Sequence, residues 1–313
     1  MAAHSVVLAT AGYDHSLKFW EATSGRCTRS LQFSDSHVNR LEVSPGKELV
    51  AAAGNPSVRL FDINGSTSQP VASLDATGGG NVTALCFDRS GRWLFTGSED
   101  GTVRVWDARH PSQPQRELAS RGAITSLALH PNQAELLSSD QHGNVRCWDL
   151  TTGACTCELV PEVNVAVRCI SVASDGSLAV AANNNGTCFV WNLSCDQHGH
   201  VTGFEPQHRL QAHDDYILRC SVSPDVRSLA TASADTTLKL WSMRTFELLR
   251  TFEGHTRWVW DCVFSVDAAY IVTASSDTTA CLWDSSSGEP IRTYSGHQKA
   301  LTCCALNDSA LDS

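Results

Sequence analysis

Seven aromatic residues recur along this chain at nearly fixed spacing. They are Trp20, Phe61, Trp106, Trp148, Trp191, Trp241 and Trp283, at intervals of 41, 45, 42, 43, 50 and 42 residues. Four of them are followed by Asp, at Asp62, Asp107, Asp149 and Asp284. A period of about 40–45 residues ending in Trp-Asp marks a four-stranded propeller blade. One blade cannot bury both faces of its sheet alone, so the repeats must stack, and their number sets the architecture.

The repeats share an internal grammar. From Ser223 to Trp241 the chain reads as a turn, a short buried strand (Leu229 to Ser233), a tight turn at Asp235 and a second strand (Leu238 to Trp241) with period-2 alternation. Six residues before each aromatic stands Asp14, Asn55, Asp100, Asn185, Asp235 or Asp277, with His142 as the exception. Short Asp and Asn side chains bond nearby backbone amides and so favour tight turns. These residues are therefore read as turn-formers and not as catalytic carboxylates.

The strongest repeats add a Gly-His or Ala-His pair upstream. His213, Ser233, Asp235 and Trp241 make one complete set, and His255, Ser275, Asp277 and Trp283 a second. The pattern matches the buried His–Asp–Ser–Trp network of WD repeats. A hydrolase triad is the competing reading. Recurrence of the set in several repeats and the lack of a Gly-x-Ser-x-Gly elbow count against it. At the chain ends, Val6 to Ala11, Asp14 and Trp20 supply half a repeat. Gly296-His297 and Leu301 to Leu306 supply the other half. Joined, they make the seventh blade, with His297, Asp14 and Trp20 in one network and Gly12 where Ser would stand. The expectation is an all-β, seven-bladed WD-repeat β-propeller, its last blade closed by the N- and C-terminal strands. Length alone suggests two domains, but a closed ring makes residues 1–313 one domain.

Composition narrows the function. With 42% hydrophobic residues the chain can bury a large core. A formal net charge of −10 without a basic block argues against nucleic acid as a partner. No apolar run approaches the ~20 residues of a membrane span, and no signal-peptide pattern opens the chain. A soluble cytoplasmic protein is expected, without direct membrane insertion and recruited to endomembrane surfaces only through partners. Most of the 13 Cys fall inside strand patterns and no Cys-x-x-Cys occurs, so buried thiols are expected in place of disulfides or zinc. His198-Gly-His200, in the insertion from Ser194 to His208, is a weak metal pattern in a polar loop. Gly78-Gly79-Gly80 is too short, and wrongly placed, for a phosphate loop. Nothing resembles an active site, so no enzymatic activity, cofactor, metal or small-molecule substrate is expected.

Function should then sit on a surface. The first strand of each blade can be aligned on Val43, Phe87, Leu129, Val172, Val222 and Phe264, and the last on its Gly-His. The residues four and six places earlier should line the rim of the central channel. The pairs are His37/Asn39, Asn81/Thr83, Ala123/Thr125, Ala166/Arg168, Tyr216/Leu218, Trp258/Trp260 and Ala300/Thr302. Two adjacent blades present Tyr216, Leu218, Trp258 and Trp260, an aromatic cluster of the kind found at interface hot spots. His37, Asn39 and Asn81 complete the candidate contact set, with channel-mouth packing as the alternative. A separate feature, Trp106-Asp107-Ala108-Arg109, resembles the box by which some propellers dock onto cullin-RING ubiquitin ligases. It would use Asp107 and Arg109.

Several segments go beyond generic repeats: ATAGYDHSLKFW (Ala9 to Trp20), SGRCTRSLQ (Ser24 to Gln32), LHPNQAEL (Leu129 to Leu136), TASSD (Thr273 to Asp277) and GHQKALTCCALNDS (Gly296 to Ser309). Over essentially its whole length the chain resembles the small WD-repeat subunit of target-of-rapamycin (TOR) kinase complexes, also called the G-protein-β-subunit-like family. The resemblance implies a non-catalytic subunit that docks on the C-lobe of the kinase domain, stabilises the active kinase and is shared by both complexes. It also implies aromatic contacts at Arg257 to Trp260 and polar ones at Ser36 to Asn39. The family commonly has Gln where this chain has His37. Two readings stand beside it. One is a ubiquitin-ligase substrate receptor using Arg109. The other is a β-subunit-like scaffold, for which an expected N-terminal heptad run is missing.

Overall fold

The computed structural model describes residues 6–34, 36–75 and 80–308. Gly78, Gly79 and Ser309 lie outside the described residues. The described chain forms seven four-stranded antiparallel sheets arranged as a ring of blades, with no helix. Blades 1 to 6 span residues 40–75, 82–119, 124–159, 167–211, 217–252 and 259–295. In each the four strands pair in sequence order, innermost first. Blade 7 is composite: Leu301–Asn307 is innermost, followed by Val7–Gly12, Ser16–Trp20 and Cys27–Gln32. Leu8 pairs with Leu306 and Ala11 with Cys303 across the junction, so the two chain ends share one ladder.

Burial follows the strand position. The second strand of each blade is almost wholly buried, as in Leu229 to Ser233 and Ile271 to Ser275, because blades cover both of its faces. The outermost strands are mostly exposed, as in Cys155–Leu159 and Leu248–Phe252. Small side chains (Ala51 to Ala53, Ala179, Ala181, Ala182, Ala230, Ala232) are fully buried in these second strands and let neighbouring sheets approach. All thirteen thiols are unpaired, and Cys147, Cys169, Cys188 and Cys220 fill core positions.

The His–Asp–Ser–Trp grouping is built differently from its sequence reading. His213 Nδ1 meets Asp235 at 2.6 Å, while His213 Nε2 and Trp241 Nε1 both converge on Thr231 Oγ1, at 2.8 and 3.0 Å. Thr273 does the same for His255 and Trp283, at 2.7 and 2.9 Å. In blade 7, Thr10 does so for His297 and Trp20, both at 2.7 Å, with His297 Nδ1 2.9 Å from Asp14. The bridge is thus threonine, two residues before the expected serine. Ser233 and Ser275 cap backbone instead, donating to Tyr216 O and Arg257 O at 2.9 and 3.2 Å. The reason is strand alternation: a residue two positions along the second strand lies one pleat further from Trp.

Blades 2 and 3 reach the same end by other chemistry. Arg104, which is 4% exposed, bonds Asp100 at 2.8 Å and Glu117 at 2.9 Å. Arg146 bonds Asp140 at 2.7 Å and Glu158 at 2.8 Å. A buried guanidinium, fixed by two carboxylates, replaces the imidazole. The turn acceptor also moves. Asp140, not His142, accepts the His142 and Asn144 amides at 2.9 and 3.0 Å. Asn183, not Asn185, accepts those of Asn185 and Thr187 at 3.0 and 3.1 Å.

Two predictions follow from this bonding. Thr231→Val keeps shape but strands His213 and Trp241. It should lower unfolding free energy by about 1–3 kcal/mol in urea titration, more than Ser233→Ala does. For Asp14, Asp235 and Asp277, burial alone would raise the carboxyl pKa. The hydrogen bond from His297, His213 or His255, with hydroxyl or amide donors, holds it well below the usual range. A folded pKa below the unfolded value of about 3.9 means stability that is full above that pH and lost as pH falls below it. Thermal melts from pH 5 to 2 should fall less steeply in the Asp14→Asn/Asp235→Asn/Asp277→Asn protein, which starts less stable at neutral pH.

Candidate functional site

One end of the central channel opens into a cavity of about 670 Å³ lined by residues from all seven blades. His37, Asn39, Asn81, Leu218 and Trp260 line it, whereas Tyr216 and Trp258 do not. Those two stand outside the mouth, 42% and 43% exposed. The matching residues of blades 2, 3 and 4, Asn81, Ala123 and Ala166, do line it. Pairing slips by one residue at Thr83, Thr125, Arg168, Leu218, Trp260 and Thr302. Such a bulge inserts an unpaired residue and re-aims the strand, so strict alternation stops there.

The bulge residues do a specific job. Thr83 Oγ1 donates to Ile124 O of the next blade at 2.6 Å, Thr125 Oγ1 to Val167 O at 2.5 Å, and Thr302 Oγ1 to Val38 O. In blade 1, Asn39 Nδ2 takes this part with Val82 O at 2.8 Å and also bonds Asn81 Oδ1 at 2.5 Å. Asn81 Nδ2 passes on to Glu99 at 3.1 Å. Asn39 and Asn81 thus spend their amides on the seam between blades. His37 stacks on Tyr13 with ring centroids 4.5 Å apart.

Blades 4, 5 and 6 depart from this pattern together. Their bulge residues are Arg168, Leu218 and Trp260, with no hydroxyl to reach the next blade. Trp260 Nε1 bonds Ser276 Oγ of its own blade at 2.6 Å and its ring lies 5.6 Å from that of Trp258. Backbone bonds pin the exposed pair. Tyr216 O accepts from Ser233 Oγ and Ala234 N, and Trp258 O from Ser276 N. Ser233, Ala234 and Ser276, at or just past the ends of the second strands, therefore fix the carbonyls of Tyr216 and Trp258. The outcome is a continuous arc of Arg168, Tyr216, Leu218, Trp258 and Trp260 on a rigid rim.

Below the mouth lies a charge cluster that sequence reasoning missed. Asp261, 1% exposed, accepts from Arg40 at 2.7 Å and from the Cys304 amide at 3.0 Å. It also pairs with Arg219 at 3.3 Å. Burial would depress the Arg40 pKa, but Asp261 and then Glu42 hold it raised. Burial pushes the Glu42 carboxyl up.

A family model described as WD domain, G-beta repeat matches residues 204–242 and 246–284, and one described as Nucleolar protein 10-like, N-terminal domain matches residues 2–194. Over 76% of its length the chain is 53% identical to the Schizosaccharomyces pombe protein named target of rapamycin complex subunit wat1, covering 75% of that protein. It is also 53% identical to target of rapamycin complex subunit LST8-1 of Arabidopsis thaliana, over 79% of this chain and 80% of that one. The chain belongs to the LST8 family. A second Arabidopsis thaliana relative, named non-functional target of rapamycin complex subunit LST8-2, is 47% identical over 78% of this chain and 77% of its own. The nucleolar-protein model stops at residue 194, while the LST8 relatives match across more than three quarters of the chain.

Elsewhere on this LST8-family propeller, Asp107 is held by Arg92 at 3.2 Å and accepts the Arg109 amide at 3.0 Å, leaving the Arg109 side chain exposed. The strand Thr102–Asp107 runs parallel to the innermost strand, so Arg109 lies at the opposite end from the channel mouth. His200 is committed to Glu135 at 2.7 Å, while His198 gives its amide to Asp196 and its Nε2 meets Gln197 Nε2 at 3.4 Å. Among the described residues no group of three His, Cys, Asp or Glu could hold a metal. Of the features missed, the hub threonines had a sequence signal, since Thr10, Thr231 and Thr273 each stand ten residues before Trp. Asp261 had none, because its partners come from three other blades. Asp261→Ala should leave Arg40 and Arg219 unpaired in the channel and destabilise the fold by about 3 kcal/mol or more in chemical denaturation.

Proposed function

We propose that this chain is a non-catalytic subunit of a TOR complex, docking its channel-mouth arc on the C-lobe of the kinase domain and favouring the kinase's active state. The observation that carries the reading is the exposed Tyr216 and Trp258 beside Trp260 and Leu218, on backbone already pinned by Ser233, Ala234 and Ser276. The names of its relatives give the partner class. Large aromatics in such an arrangement supply contact area with little rotamer entropy to lose, and a pinned rim has little backbone left to order. A rigid partner that binds only the ordered kinase raises that state's population by mass action.

In affinity capture from lysate, the native chain should retain a TOR-type kinase identified by mass spectrometry. The Trp258→Ala/Trp260→Ala variant, folded by circular dichroism, should lose it. Trp258→Ala alone should weaken binding to the purified kinase by about 30-fold, the loss of a hot spot of about 2 kcal/mol. Undiminished capture by the folded double variant, or recovery of a cullin-ligase adaptor in place of the kinase, overturns the reading.

A further inference from the structure

The arc is chemically two-sided. Leu218 and Trp260 give it an apolar half, and Arg168 stands next to them on the same cavity wall. Arg168 comes from the first of the three consecutive blades whose bulge residue is released from the seam. Its Nε donates to Asn184 Oδ1 at 2.8 Å, a neutral partner that orients the guanidinium without compensating its charge. Among the described residues no carboxylate pairs with it, and its side chain is exposed.

Among the residues that line the cavity, the other charges are accounted for. Arg40 and Arg219 share Asp261, with Glu42 in the field of both. Glu99, two blades away in blade 2, accepts from Asn81. His37 lies stacked on Tyr13, and His142 borders the cavity in blade 3. Of the cations that line the cavity, Arg168 is thus the one without a carboxylate partner among the described residues, in a chain whose net charge is −10. Over most of such a surface an acidic partner is repelled. At Arg168 a carboxylate meets a planar fork suited to paired hydrogen bonds.

We propose that the protein segment seated on the arc is acidic and apolar together: it brings an Asp or Glu carboxylate to Arg168 beside an aromatic or aliphatic side chain on Leu218 and Trp260. The cavity, about 670 Å³, has room for such side chains. Arg168 then sets which segment is accepted, while the aromatics set how tightly it is held. This rests on the arc being the docking surface for the kinase.

The test measures binding to the purified catalytic region of a TOR-type kinase at low and high salt. Arg168→Glu should weaken binding by at least about tenfold, and Arg168→Gln should weaken it less and flatten its salt dependence. Trp258→Ala should weaken binding with the salt dependence intact. Melting temperatures check that each variant is folded. If Arg168→Glu binds like the native chain while Trp258→Ala does not, the docking surface stands and the acidic partner falls. If the native chain binds no kinase, the proposed function falls, and titration with N-acetyl-phenylalanyl-aspartate, followed by tryptophan fluorescence, decides this inference alone. Saturation that Arg168→Gln abolishes sustains it, and no saturable response overturns it.

Discussion

The pairing of Leu301–Asn307 with Val7–Gly12 is the contact on which the ring depends. Every other blade is made from one continuous stretch of chain, whereas blade 7 exists only when the two ends meet. Without that ladder, Val7–Gly12 would present an open strand edge beside a buried apolar face, which favours association with other chains. The junction is reinforced from both sides. His297 reaches Thr10 and Asp14 across it, and the Tyr294 hydroxyl of blade 6 donates to Ala22 O of blade 7 at 2.8 Å. Pairing residues so far apart in sequence makes the contact order high and the closing step slow relative to blade formation.

In the six blades that carry Trp the recurring problem is a polar turn close to that buried ring. Three blades solve it with an imidazole bridging Asp and Thr. Two solve it with a guanidinium held by two carboxylates. In all five the indole N–H donates to a hydroxyl ten residues upstream, that of Thr96, Ser138, Thr10, Thr231 or Thr273. The indole–hydroxyl bond is therefore the constant part of the network, and the cation or imidazole beside it varies with what the loop supplies.

What could be read from sequence divides along the range of the interaction. The aromatic period, the Asx turns at Asp14, Asp100, Asp235 and Asp277, and the composite seventh blade are local patterns or matched halves, and the sequence carries them openly. Counting along strands in steps of two finds the rim positions but not how far from the channel each side chain stands. Asn39, Trp260 and Leu218 fall on the cavity wall, while Tyr216 and Trp258 fall outside it. Asn39 and Asn81, read as contact residues, have their amides engaged between blades. That engagement is invisible without knowing which carbonyl stands across the seam. Arg104 and Arg146 carry no local signal of their role, because a buried Arg is recognisable only when its carboxylates are in place.

The three seams without a bulge staple pose a question of stability. A ring that omits them on consecutive blades should open there first. Other bonds occupy those places. Between blades 4 and 5, the Cys220 amide meets Cys169 Sγ at 2.7 Å, and Val222 N meets Ser171 Oγ at 3.2 Å. From blade 5 round to blade 1, Asp261 alone gathers Arg219, the Cys304 amide and Arg40. The fastening has moved from the rim to the depth of the channel. A buried ion pair is an inefficient source of stability compared with apolar packing, so its use here needs a reason. Holding the ring together from below leaves the rim positions of blades 4, 5 and 6 free to carry a cation, an aliphatic and an indole, which a hydroxyl staple could not. The buried charge cluster and the exposed arc are in this sense one arrangement. Substitutions at Asp261 and at Trp258 should differ in kind, the first loosening the ring and the second leaving it intact while removing what it presents.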